Sequence, residues 1–317
     1  VRAIVMTEFG GPEVLRLADA PDPEPRRGHH LVHVTRAGVN FADLHVRDNS
    51  YLADVPLPYI PGNEVVGTIG PGGRRIAGLI RGGGYAQKAL VHTRVSWDVP
   101  DDITDDQAVA LALQGNSAWH LLHTSLRIAD GETVVVPAAA GGLGSLAVQL
   151  AAHAGAKVIA LASTADKRDL AVKLGAYAAV DSTSEDLTER IVEAAGGPVH
   201  AAMEMTGGRT FDATLAAVAP RGRLAVFGYA SGDIATVTTR ALMERSITVA
   251  GFWLPHLYTD RSALPDSVEA LFAAVRSGAL KPLPGTTYPL QEAARAHQNL
   301  ASRTQTGKIS LDTTQPQ

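Results

Sequence analysis

The 317-residue chain contains no cysteine. Disulfides, thiolate zinc sites and a cysteine nucleophile are therefore excluded together, and the absence suits a reducing compartment. Long apolar runs are missing as well. No uninterrupted stretch has membrane-spanning length, and the N-terminus shows no signal-peptide pattern, so no membrane partner is expected and the cytoplasm is the expected compartment. Basic charge is not in excess: the net charge of −4 gives no electrostatic footprint for nucleic acid. Aromatic residues make up only 5% of the chain.

What remains is an ordinary globular composition, 45% apolar and 19% charged, long enough for about two domains of ~150 residues. The style of the chain changes near residue 113. Before it, Arg2–Thr7, Leu31–Arg36 and Val65–Ile69 read as short strands separated by Pro- and Gly-rich turns such as Pro21–Pro25 and Leu57–Gly62. Such a pattern suggests a small, partly open barrel. After it, strand and helix signals alternate: Val158–Ala162, Asp166–Leu174, Ala178–Val180, Glu185–Ala195, Val199–Met205, Phe211–Val218, Leu224–Phe227 and Ile247–Phe252. Alternation implies a doubly wound parallel sheet. The last ~55 residues carry two helices and a final strand, Lys308–Leu311, expected to return to the first domain. The expected division is 1–112 with 262–317 as the substrate domain, and 113–261 as an inserted dinucleotide-binding domain.

Thr133–Gly155, TVVVPAAAGGLGSLAVQLAAHAG, is the stretch that most directly suggests chemistry. A β-branched run is followed by a small-residue turn and then a helical pattern, the context a dinucleotide fingerprint needs. Ala139-x-Gly141-x-x-Gly144 matches that fingerprint with Ala for the first glycine. Gly141 would let the backbone approach a pyrophosphate and Gly144 would let the helix pack on the strand. The free N–H groups of the turn and helix start, at Ala140, Gly141, Gly142, Leu143 and Gly144, would face the phosphates. NAD selectivity usually rests on an acid at the end of the second strand. Here that strand ends Ala162-Ser163-Thr164 with Lys167 close by, which suits a 2′-phosphate and favours NADPH.

In the first half, Gly38-Val-Asn40-Phe41-Ala-Asp43-Leu-His45-Val-Arg47 concentrates polar groups within apolar surroundings. Gly38-Val-Asn40-Phe41-x-Asp43, Leu57-Pro-Tyr-x-Pro-Gly62-x-Glu64, Gly83-Gly84-Tyr85-Ala86, the Ala-Gly turn, Gly251-Phe252 and Gly307-Lys308-Ile309 together resemble the zinc-free quinone oxidoreductases of the medium-chain dehydrogenase/reductase superfamily. The resemblance runs nearly end to end. It implies an α/β fold, with a Rossmann nucleotide domain inserted in a β-rich, partly open GroES-like barrel. Zinc members would have Cys at Asn40 and His at Asn63. Both ligands are missing, so no metal is expected. His120 with His123, and His29 with His30 and His33, lack an evident third ligand.

The resemblance places Asn40, Asp43, Tyr51 and Glu64 around a substrate cleft. Asn40 would donate its amide to a carbonyl oxygen. Asp43 and Glu64 would orient neighbours, and Tyr51 would donate a hydrogen bond or a proton. His45 stands where relatives have Tyr and could titrate near neutral pH, and Arg47 would screen developing negative charge. With His45 completing the catalytic group, Phe41, Arg47, Glu64, Asn116 and Trp253 are the expected substrate contacts. Ser117 aligns with a Thr set beside the nicotinamide, whereas Asn116 departs from an apolar position and would reshape substrate contacts. Ser182 stands where some relatives place a Tyr for the 2′-phosphate. Gly228, Tyr229, Phe252 and Lys308 match segments lining the cofactor site. The loop Pro71–Arg75 is shorter than in relatives.

The implied activity is NADPH-dependent hydride transfer to a quinone or an α,β-unsaturated carbonyl. A biosynthetic, polyketide-type enoyl reductase is the alternative within that class, and an NADPH-binding sensor without turnover the alternative outside it. A homodimer joined through the apolar Ile247–Phe252 edge strand is also implied.

Overall fold

The computed structural model describes residues 1–70 and 72–315. Pro71 of the short loop lies outside the described residues. The chain forms two units. One comprises Val1–Asn116, Leu257–Arg276 and the chain from Pro282 onward; the other comprises Ser117–His256 and Ser277–Lys281.

The first unit is built on a seven-stranded sheet. Its strands run in the order Pro284–Pro289, Lys308–Asp312, His29–Gly38, Glu64–Ile69, Arg75–Leu79 and Ser96–Asp98, with Lys88–His92 also paired to His29–Gly38. All pairs are antiparallel except the first. Ser310, near the C-terminus, lies opposite Gly38. This register carries Lys308 to the segment that opens with Asn40. Inward-facing apolar side chains, among them Ile4, Met6, Val32, Val34, Ile76, Tyr85, Leu290 and Leu311, fill the core. The strand Arg16–Asp19, paired with Arg2–Val5, has charged, exposed ends and no apolar alternation, so no sequence pattern announced it.

The helix Phe41–Arg47 follows the sheet's longest strand. Asn40 is its N-cap residue, and Asp43 at the third helical position reaches back so that Oδ2 accepts from Asn40 N–H at 2.8 Å. That bond satisfies one backbone donor at the helix entrance. It also ties the placement of Asn40 to that of Asp43.

The second unit is a six-stranded, fully parallel sheet. Its order is Ala178–Asp181, Lys157–Ala162, Thr133–Val136, Val199–Glu204, Val218–Val226, Thr248–Gly251. Numbered along the chain, that is 3-2-1-4-5-6, the doubly wound order. Thr133–Val136 is buried along its whole length, as a β-branched run enclosed on both faces must be. Val218–Val226 begins earlier than the apolar run from Leu224, because Ala219-Pro220-Arg221-Gly222 reads as a turn yet stays in the ladder with an irregular register. A helix at Thr239–Arg245, with no buried residue, gave no amphipathic signal. Among the described residues no helix is long and apolar enough to cross a membrane.

Candidate active site

Asn40 is the centre of a buried polar cluster in the first unit. It is 5% exposed. Its Oδ1 accepts from Lys308 Nζ at 2.8 Å and from Gln114 Nε2 at 3.1 Å, and its Nδ2 donates to Glu64 Oε1 at 2.8 Å. An ammonium can only donate, so Lys308 fixes which end of the amide is oxygen. The bond to Glu64 uses one Nδ2 hydrogen, and the second has no protein partner among the described residues. Glu64 is fully buried. It pairs with Lys308 and accepts Leu113 N–H on its other oxygen at 2.8 Å. Gly38 is required beside it: a Cβ there would lie 2.1 Å from Glu64 Oε1.

Asp43 is 1% exposed and takes a second donor, Tyr85 Oη, at 3.1 Å. Burial pushes its carboxyl up to about 7, while the Asn40 N–H, Lys308 and Tyr85 pull it down. His45 lies on the same helix, half-buried, with Nδ1 2.9 Å from Ser50 Oγ. Since Ser50 Oγ donates to Asp48, it accepts from His45, which makes Nδ1 the protonated nitrogen. Burial lowers the His45 pKa, with Asp48 opposing. Tyr51 and Phe41 are partly exposed. Two further phenols, Tyr59 and Tyr258, are raised mainly by burial, to which Asp43 adds at Tyr59. Tyr258 belongs to no motif, and Tyr59 read only as part of a turn.

Several expectations change. Arg47 does not face a site where charge develops. It is 9% exposed and donates to Gly10 O at 3.1 Å, with Nη1 3.5 Å from His297 Nδ1. Asn116 is not a substrate contact: fully buried, it donates to Ala112 O at 2.7 Å and accepts from Ser267 Oγ. That satisfied amide is why a polar residue stands at an apolar position. Glu64 and Lys308 both hold Asn40, Glu64 by accepting from its amide nitrogen and Lys308 by donating to its amide oxygen. Gln114, which donates to Asn40 Oδ1, was not among the residues expected at the site.

In the second unit, the expected cofactor residues cluster at the C-terminal ends of the parallel strands, where open α/β sheets bind ligands. Beyond Thr133–Val136, Ala138 adopts a left-handed conformation (φ 45°) and its carbonyl accepts from Gly141 N–H at 2.8 Å. A Cβ on Gly144 would lie 2.2 Å from that carbonyl, so the helix Gly142–His153 can sit this close only with glycine there. Gly141 is its N-cap and no side chain caps it. Gly141, Gly142 and Leu143 are partly exposed, whereas Ala140 is buried. A bare helix N-terminus on a glycine turn is a cradle for a pyrophosphate. The unusual Ala138 was invisible in the sequence, where it is one of three alanines.

At the next strand end, Ser163 and Thr164 are exposed, and Thr164 Oγ1 accepts from Lys167 N–H. Ser182 N–H donates to Ala162 O at 3.3 Å, which brings Ser182 to the same edge. Burial lowers the Lys167 ammonium somewhat. Arg168, unremarked in the sequence, donates to Ala162 O and pairs with Asp181 at 3.2 Å. Gly228 and Tyr229 follow Val218–Val226, with Gly228 against Met205, and Phe252 and Trp253 follow Thr248–Gly251. Ser117 is 5% exposed and opens this unit. Among the described residues no group of three or more His, Asp or Glu side chains could hold a metal ion.

Residues 26–101 match the family described as alcohol dehydrogenase GroES-like domain, and residues 142–273 the one described as zinc-binding dehydrogenase. Quinone oxidoreductase 1 of Escherichia coli (strain K12) is 32% identical, covering 96% of this chain and 97% of its own. The chain belongs to the quinone oxidoreductase-like branch of the medium-chain dehydrogenase/reductase superfamily. Within that branch, 2-haloacrylate reductase of a Burkholderia species is 32% identical over 98% of both chains. A mycobacterial structure complexed with NADPH superposes with a TM-score of 0.93 at 36% identity, covering 98% of this chain and 100% of the other.

Proposed function

We propose that this protein is a zinc-independent, NADPH-dependent reductase of quinones or α,β-unsaturated carbonyls. The observation that carries the proposal is Asn40: three partners fix its amide, and one Nδ2 hydrogen remains for a substrate oxygen. The relatives support it in two ways, one being named for a quinone and another for a 2-haloacrylate. Zinc independence is supported by the donor set, with Asn40 and Asn63 where zinc members would have Cys and His.

NADPH fits the residues present. The Ala138–Gly144 turn would take its pyrophosphate, and Ser163, Thr164, Lys167 and Ser182 its 2′-phosphate. When bound, NADPH supplies a hydride for an electron-poor carbon. Asn40 donates to the carbonyl oxygen, and this bond strengthens as negative charge builds there; one pre-oriented donor of this kind is worth about 3–4 kcal/mol. Glu64, Lys308 and Gln114 keep that donor from rotating away. The oxygen or the adjacent carbon then takes a proton from Tyr51, His45 or water. The edge strand Thr248–Gly251 would pair with its copy in a homodimer; a monomer at micromolar concentration in light scattering would contradict this.

The test is NADPH consumption, followed by absorbance, against a panel of quinones and enones. Turnover that falls by about two decades in Asn40→Ala is the expected result. Stoichiometric NADPH binding without consumption across the panel would overturn the proposal in favour of a sensor.

A further inference from the structure

His297 is fully buried on the helix Ala293–Ala301, far along the chain from every residue considered catalytic. Its two ring nitrogens have different partners. Arg47 Nη1 lies 3.5 Å from Nδ1, and Tyr85 Oη lies 3.1 Å from Nε2. A guanidinium only donates, so Nδ1 is the acceptor and the proton of the neutral imidazole is on Nε2. Nε2–H then donates to Tyr85 Oη. That leaves the single phenol hydrogen for Asp43 Oδ2, at 3.1 Å. The same Oδ2 accepts Asn40 N–H at 2.8 Å. The rings of Tyr85 and His297 meet edge to face at 5.8 Å, which holds the geometry by packing as well. Arg47, His297 and Tyr85 thus each donate to the next group in a chain that ends on Asp43, whose Oδ2 also accepts the Asn40 N–H from the other side, with every member at most 9% exposed.

We propose that His297 is a positioning residue for Asn40, acting through Tyr85 and Asp43. Asp43 caps the helix entrance by holding the Asn40 backbone, so any shift of its carboxylate moves the amide that meets the substrate. Tyr85 is the link that sets where the carboxylate sits, and His297 is the donor that sets which way the phenol points. Arg47 selects the imidazole tautomer. A protonated His297 would turn a second donor toward Arg47 and break the direction of the chain; burial, with Arg47 adding to it, holds the imidazole down to about 3 and keeps it neutral. This inference rests on the reading of Asn40 as the carbonyl donor.

The test uses the full chain with NADPH and 9,10-phenanthrenequinone as probe, and compares Asn40→Ala, Tyr85→Phe, His297→Leu and His297→Gln. Tyr85→Phe keeps the packed ring and removes only the hydroxyl, so it reports even if His297→Leu fails to fold. Tyr85→Phe and His297→Leu should each lower kcat about tenfold, the scale expected when a reacting group is held slightly out of place. The KM for NADPH should stay within about twofold. His297→Gln can still donate to Tyr85 and accept from Arg47, and should recover most of the rate. Wild-type kcat in Tyr85→Phe, equal losses in His297→Gln and His297→Leu, or an NADPH KM rising in step with the loss of kcat would overturn the proposal. If Asn40→Ala keeps wild-type kcat, the carbonyl-donor reading fails; if only Asn40→Ala loses activity, that reading stands and the positioning role of His297 fails alone.

Discussion

Lys308 and Glu64 form an ion pair whose side chains are 2% and 0% exposed. Desolvating two such charges costs several kcal/mol each, and only close contact with further hydrogen bonds repays it. Here Asn40 and Leu113 N–H supply those bonds. Removing one partner is therefore costly. Lys308→Met should destabilise the protein by about 3–5 kcal/mol, because Glu64 is left buried and unpaired. Lys308→Met combined with Glu64→Gln should be less destabilised than the single variant. Urea unfolding of Lys308→Met, Glu64→Gln and the double variant checks this; additive losses would show that the charges do not act as a pair.

Gly144 sits 2.2 Å, as a hypothetical Cβ, from the carbonyl of Ala138. Backbone cannot rotate aside as a side chain can, so Gly144→Ala must push the helix Gly142–His153 away from the strand end. NADPH affinity should fall by about tenfold or more, since the helix N-terminus is what the phosphates would meet. Gly141→Ala places its Cβ at 3.1 Å from the same oxygen, a milder clash, and should lose less. Fluorescence titration with NADPH ranks the two; the reverse order would contradict the geometry.

Much of this arrangement was legible in the sequence, and the rest was hidden for identifiable reasons. The Rossmann sheet could be read because burial on both faces writes β-branched runs, as at Thr133–Val136, and because the turn after it needs Gly141 and Gly144. Asn40 and Asp43 stood out because polar groups concentrated in apolar surroundings are conspicuous, while Glu64 was named only through the family resemblance. What they bond to was not. Lys308 reaches Asn40 through an antiparallel pairing between strands that begin nearly 280 residues apart, and His297 reaches Asp43 only through Tyr85, contacts that no local pattern encodes. Arg47 and Asn116 were misread for a related reason: a polar residue in an apolar stretch signals a buried partner as readily as a ligand, and only the fold shows which.

Lys167 lies beside Asp166 in the first turn of the helix that follows the Lys157–Ala162 strand, and the strand tip itself, Ala162-Ser163-Thr164, carries no acid to bond a ribose 2′-hydroxyl. A cation there would meet a 2′-phosphate and would find no such group in NADH. Lys167→Glu should raise the KM for NADPH by about tenfold or more and leave that for NADH nearly unchanged. Steady-state kinetics with both cofactors decides the matter, and equal effects on the two would remove Lys167 from phosphate recognition.

Asp43 and His297 titrate in opposite senses, which gives the stability of the fold a distinctive pH dependence. Burial raises Asp43 from 3.8 to about 7. The folded state therefore keeps a proton that the unfolded chain has released, and the stability this contributes is full below about pH 4 and is lost as pH rises toward 7. Burial, with Arg47, lowers His297 from 6.5 to about 3. The folded state there refuses a proton that the unfolded chain accepts, so this contribution is full above about pH 6.5 and is lost as pH falls toward 3. Between about pH 4 and 6.5 the two slopes oppose each other. In Asp43→Asn only the histidine slope remains, and stability should rise with pH across that window. In His297→Gln only the carboxyl slope remains, and stability should fall from pH 4 to 7. Urea midpoints measured at half-unit steps for the wild type and both variants test this directly: the three curves should diverge, with the wild type the flattest, and parallel curves would mean that neither group changes its proton occupancy on folding.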